Sequence, residues 1–367
     1  MKQKLYSLLL AALCCLPGTK VWAQTLSTTE IDGTTYYEIA TADDLATFAN
    51  LVNGGEFTAN AVLTDDIDME DLVTMDGWVP IGIDNDHGYK GTFDGQGKTI
   101  TGFQLTSSTT NNSYGAGFFG HIADGANIQN FSIYGTITST GQRMSVIGSA
   151  QGNVNISGIH SHLNITCTQT RHGGILGAQV GTGTINIDRC SFSGSLTTDN
   201  ISGNFGGIVG LTLNNTSAYI NITNCLFDGT IDIGTGDNAG GFVGYTRSCQ
   251  LKIENCLSVG TITAANPGQF IGQINTTSRQ KYSGVNYYLG DNKTQGTGSA
   301  TEAGPTPVKV TAAQLASGEI AYALNENVSG AEIWFQLLKN KTFAAEQYVV
   351  TADGTTEEPT TANVTLT

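Results

Sequence analysis

The 367-residue sequence predicts an all-β fold, a right-handed parallel β-helix with short helical caps at both ends, and three observations predict it. The first is a twelve-residue pattern that recurs six times between Ala126 and Leu289. With Cys190, Cys225 and Cys256 as an anchor column, Phe131, Ile159 and Val285 fall into the same column at steps of 28, 31, 35, 31 and 29 residues. A period this long and slightly irregular signals a solenoid. The second is alternation. Ile128, Ile156, Ile187, Ile222, Ile253 and Tyr282 stand three positions before the anchor, and Ile137, Ile165, Leu196, Ile231 and Ile262 stand six after it. Gly135, Leu163, Gly194, Gly229, Gly260 and Leu289 occupy anchor plus four, and polar residues fill the odd offsets, as in a strand with one buried face. The third is a pair of apolar residues followed by Gly in every repeat, from Phe118-Phe119-Gly120 to Phe270-Ile271-Gly272, which reads as a second strand per coil. Coils of 28–35 residues then stack at about 4.8 Å, and the handedness of parallel crossovers makes the winding right-handed.

Taken in order, residues 1–23 read as an export signal. Lys2 and Lys4 precede an apolar run from Leu5 to Leu16, and Val21-Trp22-Ala23 offers a cleavage site before Gln24. The run is shorter than the roughly 20 residues of a membrane span, and Leu13 and Cys14 are not the small residues that precede a lipidated cysteine. Residues 24–110 are expected to form an N-terminal cap and the first coils. Within them Thr41 is a plausible N-cap for a helix carrying Leu45, Phe48, Ala49 and Val52 on one face and ending at Gly54-Gly55. A helix there would cover the open end of the core. Residues 111–290 are the repeats. The stretch from each Gly landmark to the next Ile column runs 8, 8, 10, 12, 9 and 10 residues, so length varies at that corner, through tolerated drift or a binding surface. Residues 291–308 read as a linker or irregular last coil, 309–350 as a C-terminal cap, and 351–367 as a disordered tail.

The Gly-Gly-Ile-Leu-Gly, Gly-Gly-Ile-Val-Gly and Gly-Gly-Phe-Val-Gly runs that start at Gly173, Gly206 and Gly240, each followed by an Ile-x-x-Cys strand, resemble the GLUG-motif repeats of bacterial secreted and surface adhesin-like proteins. Thr41-Ala42-Asp43-Asp44-Leu45, Trp78-Val79-Pro80-Ile81-Gly82 and Gly91-Thr92-Phe93-Asp94-Gly95 look like the opening segment of such proteins in Bacteroides-type bacteria, and Gly318 to Asn325 with Trp334-Phe335-Gln336 looks like their closing segment. The resemblance implies the architecture and an adhesin-like role. It carries no catalytic residues.

Composition excludes some partners. The signal holds Lys2, Lys4 and Lys20 and no acid, so the formal charge of −15 becomes −18, with 13 Lys and Arg against 31 acids. Nucleic acid and anionic membranes, which need a basic face, are not expected partners. Five cysteines remain after the signal. In an exported protein they raise the question of disulfides, but the anchor column also holds Phe131 and Ile159, so a buried thiol ladder is expected there, with Cys167 and Cys249 open. His160 and His162 share an outer face and would begin a zinc site, yet the neighbouring outward positions Ser132, Tyr134, Ser191 and Ser193 supply no third ligand. Asp84 and Asp86 are the candidates for calcium, against a turn-forming role. The outward acids Asp188, Asp228, Asp232 and Glu254 do not fall on adjacent rungs, as the acid pairs of β-helix lyases and hydrolases would. Outward Thr136, Thr138, Thr166, Thr197 and Thr261 form a hydroxyl array resembling the ice-binding face of solenoid antifreeze proteins, interrupted by Asn164 and Asp232.

The expected function is an exported, monomeric binding or adhesion module for extracellular glycans or host and matrix proteins, with no catalytic set and no cofactor. The alternatives are a polysaccharide lyase or glycoside hydrolase of the same fold and a structural stalk.

Overall fold

In the computed structural model the predicted columns stand in register. Residues 26–70, 72, 77–107, 115–198, 203–213, 216–235, 238–275, 279–298, 304–328, 333–339, 350–351 and 363–366 are described; the expected export signal lies outside them. Ile128 pairs with Ile156, and the column continues through Ile187, Ile222 and Ile253 to Tyr282, parallel throughout. It extends backward through Phe93 and Ala61 to Tyr37. The chain winds through about seven turns, and its inward residues form one continuous core.

The sixth repeat departs from the expected spacing. Cys256 pairs with Asn286, not Val285, because one extra residue enters at Gly284-Val285 and the ladder slips between Glu254 and Cys256. Anchor plus four in that coil is therefore Gly290 rather than Leu289; Val285 and Leu289 both join a separate cluster on the flank.

The anchor column has a polar reason that apolarity alone did not reveal. The Cys190 N–H donates to Cys225 Sγ at 3.4 Å, the Cys225 N–H to Cys256 Sγ at 3.4 Å, and the Cys256 N–H to Asn286 Oδ1 at 3.1 Å. The bend beside each anchor leaves this N–H without a backbone acceptor on the next rung, so a side chain of that rung supplies one. A thiol is small enough for the core and can accept. Asn286 does the same in the last coil, its amide in turn donating to the Ile253 and Ser283 carbonyls. All five described cysteines are buried and unpaired as disulfides.

A two-strand hairpin, Thr28–Ile31 with Thr34–Ile39, opens the described chain. It leads into α1, Ala42–Asn53, capped by Thr41 and Asp44 in a reciprocal capping box. Leu45, Phe48 and Val52 are fully buried, and the Phe48 ring lies 6.1 to 6.3 Å from those of Tyr37, Tyr89 and Phe93. The helix thus closes the first rung of the core.

On the second face, the glycine that ends each apolar pair is required. A Cβ at Gly210 would stand 2.6 Å from the carbonyl oxygens of Gly177 and His172, and one at Gly244 would stand 2.6 Å from the Phe205 nitrogen. The stretch that enters each Gly-Gly bend passes directly over the following coil's glycine. Strands such as Leu176–Gln179 and Val209–Thr212 are consequently buried on both sides.

At the other end, Lys293–Thr297 and Val308–Lys309 add parallel rungs to the two sheets, so of the two readings expected there, linker or irregular last coil, these strands fit the second. The helices α2, Ala312–Ala316, and α3, Glu319–Asn325, then pack with Val310, Ile333 and Trp334 against Leu226, Leu257, Val259, Tyr287 and Leu289. The tail expected to be disordered supplies a strand, Asn363–Leu366, antiparallel to Trp334–Lys339; Val364 and Thr365 suit an extended backbone. Residues 340–349 and 352–362 lie outside the described residues.

Two outcomes are expected. Gly210→Ala should cost about 3 kcal/mol in urea unfolding, because backbone must move to admit a methyl group. Gly234→Ala, with nothing within 4 Å and φ +57°, should cost only about 1 kcal/mol; equal losses would refute the crossing geometry. A thiol reagent should label none of the five described cysteines in the native protein and all of them in denaturant.

Candidate functional site

Each coil bends within its long face, and the bend falls at the residue just before the anchor. That residue is left-handed in five successive coils: φ is 60° at Asn130 and Gly158, 51° at Arg189, 53° at Asn224 and 54° at Asn255, while in the sixth the left-handed residue is Gly284, two before Asn286. Asn and Gly enter this region readily, whereas Arg is disfavoured there by roughly 1–2 kcal/mol. The column is cross-bonded. Asn255 Nδ2 donates to Asn224 Oδ1 at 2.6 Å, Asn224 Nδ2 donates to Asp188 Oδ1 at 2.8 Å, and Arg189 Nε donates to Asp188 Oδ2 at 2.9 Å.

Two clefts lie along this corner. One of about 540 Å³ is bounded by Asp188, Arg189, Asn224, Glu254 and Asn255 on the coils and by Asn327, Val328 and Ile333 of the C-terminal segment. The other, about 510 Å³, is lined by Gln96, Asn130, Ser132, Gly158, His160 and Arg189. Arg189 borders both, so the two clefts adjoin along the corner, and together they cross several coils.

The acids at the lower cleft are engaged. Asp188 and Glu254 share a column with Thr223 between them, about 9.6 Å apart at the usual rung spacing. Thr223 Oγ1 donates to Asp188 at 2.8 Å, and Glu254 pairs with Lys252 and accepts from Ser283 at 2.9 Å. Burial pushes the Glu254 carboxyl up, but the bonds from Lys252 and Ser283 and the charges of Lys252 and Lys281 outweigh it and hold it below the ordinary range. A general acid needs the opposite shift.

On the flank beyond the anchor, Tyr134, His162, Ser193 and Asp228 occupy one column on successive rungs. The Tyr134 and His162 rings stack with centroids 4.2 Å apart and planes 4° apart. His160 Nδ1 meets Ser191 Oγ at 2.9 Å, and Ser193 Oγ donates to Asp228 Oδ1 at 2.5 Å. Serine, histidine and aspartate are thus close, but no hydroxyl–imidazole–carboxylate relay is assembled. Burial, and secondarily His162, lowers His160 to about 4. His162 is lowered by burial against the pull of Asp228, and Asp228 is raised by loss of hydration against the Ser193 bond.

The other expected sites resolve as follows. The two histidines serve hydrogen bonding and stacking, and no group of three or more metal-ligand side chains occurs among the described residues. Asp84 Oδ1 accepts the backbone N–H groups of Asp86 and His87 and lies 2.8 Å from His87 Nδ1, the turn-forming arrangement. The Thr166 and Thr197 hydroxyls bond to each other at 3.0 Å, and Ser195 donates to Asn164. Asp232 pairs with Thr197 and Thr263 across the stack. Arg189 was not singled out by spacing; its signal was an Arg in a column of Asn and Gly. No helix among the described residues is long and apolar enough to cross a membrane.

Acid should destabilise the fold over a defined window. His121, His160 and His172 are each lowered to about 4 by burial, and His172 is fixed as a neutral ring, accepting from the Met144 N–H and facing the Gln169 carbonyl. The unfolded chain takes up these protons near pH 6.5 and the folded chain only near pH 4. Stability should therefore be full above about pH 6.5 and fall as pH drops toward 4, by up to about 3 kcal/mol per histidine. Urea midpoints that stay level across that window would refute the assignment.

No protein-family model matches the sequence, and no curated protein matches it. Among solved structures the chain is similar to the crystal structure of a Bacteroides ovatus protein described as a putative immunoglobulin A1 protease, with a TM-score of 0.60 and 21% identity over 83% of this chain and 90% of that one. At that identity the likeness is one of fold: both are β-helical solenoids.

Proposed function

We propose that the protein is an exported binding module of the adhesion type, which holds an extended extracellular ligand, a glycan chain foremost, along the corner groove. The observation that carries this reading is the alignment of two clefts along one edge of the coils, joined at Arg189. A stack of coils is rigid, and a groove crossing several rungs suits a linear chain better than a small molecule. The N-terminal signal sequence and the likeness of the glycine-rich runs to GLUG repeats support an extracellular, adhesin-like role.

Hydrolysis of a glycan is less well supported, since Asp188 and Glu254 are both bound by ladder partners and Glu254 is shifted away from a general acid. The His160–Ser191 contact favours peptide cleavage as a second reading, which the name of the Bacteroides ovatus neighbour also raises. That histidine lacks an orienting carboxylate among its contacts.

A glycan array with the protein from Gln24 onward should give selective binding without release of sugar. Ser132→Trp places a bulky ring at an outward strand position lining the groove. It should abolish binding while leaving the unfolding midpoint unchanged. Product release in a reducing-end assay, or peptide cleavage lost in Ser191→Ala, would replace the binding reading with an enzymatic one.

A further inference from the structure

We infer that the upper half of the groove is a subsite for a carboxylate-bearing sugar, a uronic-acid-type residue, with Arg189 as the group that selects it. This rests on the groove being a glycan site and specifies which glycans it takes.

The upper cleft is chemically unlike the lower one. In a chain with 31 acids against 16 basic residues, no carboxylate lines it, and Arg189 is the one cation that does. Arg189 is also oriented. Its Nε is held by Asp188 at 2.9 Å, so that contact occupies neither of the two terminal nitrogens of the planar fork, and the residue lines the cleft. A fork fixed in this way matches the two oxygens of a carboxylate. Its position is unusual too: the neighbouring coils place Gly158 and Asn224 there, residues that tolerate φ near 50–60° better than Arg. A side chain kept against local preference at the junction of two clefts is a candidate for function.

The opposite wall supplies acceptors. Asp94 stands behind the cleft, and its oxygens take the Gln96 amide at 2.7 Å and the Asn130 amide at 3.1 Å. Their NH₂ groups are thereby turned toward Asp94, and their carbonyl oxygens remain to accept. Gln129 Nε2 also donates to Asp94, at 2.9 Å, so three amides surround that charge. The cleft therefore brings together a guanidinium and two amides whose NH₂ groups are engaged by Asp94, which leaves the amide carbonyls as acceptors for hydroxyls. A uronate carries the complementary pair, a carboxylate and ring hydroxyls, on one residue. A neutral hexose would satisfy only the acceptor wall. The lower cleft, with Asp188 and Glu254, would repel a second carboxylate, so the acidic residue belongs beside Asn130 and Gly158 rather than beside Asn255.

The test compares the exported chain with Arg189→Asn and Arg189→Lys on oligogalacturonate, alginate and hyaluronan fragments and on neutral β-1,4-glucan and xylan fragments of equal length. Arg189→Asn copies Asn224 and Asn255 of the same column, so it should fold at least as stably as the parent. The expected result is binding of at least one acidic series, weakened about ten- to hundredfold in Arg189→Asn and partly retained in Arg189→Lys. Neutral fragments should bind weakly, and equally well in all three proteins. Tight binding of neutral fragments unaffected by Arg189→Asn would overturn the uronate assignment and leave the groove reading standing. Acidic binding indifferent to Arg189→Asn would also overturn it. Absence of binding to every fragment would overturn both.

Discussion

The geometry of the coil depends on one left-handed residue, which stands immediately before the anchor from Asn130 to Asn255 and one residue earlier, as Gly284, in the sixth coil. Because the chain turns there at every level, the strand before the bend and the strand after it can each stack on their own kind. The turn interrupts the backbone ladder, and the orphaned N–H must be answered by the next level, through Cys225, Cys256 or Asn286. Register, core column and surface groove all follow from this bend. Where one extra residue enters, at Val285, the whole ladder slips by one and a side-chain amide replaces the sulfur.

The flank beyond the bend changes character along the axis. Its early levels are polar, with Tyr134 exposed over the hydrogen-bonded His160 and Ser191, while its later levels are apolar and covered, with Leu226, Leu257 and Tyr287 beneath α2 and α3. The groove runs along the boundary, and Asn327, Val328 and Ile333 form part of its wall. A surface half exposed and half covered by the C-terminal segment has an edge across the coils, which a uniform solenoid lacks.

Much of the architecture was legible in the sequence, because stacking forces like onto like and leaves columns of Ile that need no neighbour to interpret. The α1 helix was legible to the residue, since capping by Thr41 and Asp44 is a local event. Three features were not. The Asn286 register needs knowledge of an inserted residue whose cost is borne by the partner coil. The cysteine column looks apolar on paper, and only the direction of the Cys225 and Cys256 N–H groups shows why sulfur is used. The groove was hidden for a different reason. It is built from residues about thirty apart, and its key member, Arg189, reads as one more surface charge until the left-handed column of Asn130, Asn224 and Asn255 is seen around it. The acids that were legible, Asp188 and Glu254, turn out to be fastened into the ladder, a property that depends on Thr223 and Lys252.

The glycines of the second face have a mechanical meaning. Each coil's incoming stretch overlaps the backbone of the following coil, as His172 does over Gly210 and Phe205 over Gly244, in the manner of roof tiles. A load applied to one end of a simple solenoid peels one level at a time, breaking a single row of hydrogen bonds at each step. With overlapping levels, lifting one coil means sliding its neighbour's backbone out from under it, so two levels resist together. A molecule tethered at one end and gripping a ligand along its side would gain tensile toughness from nothing more costly than the absence of a methyl group.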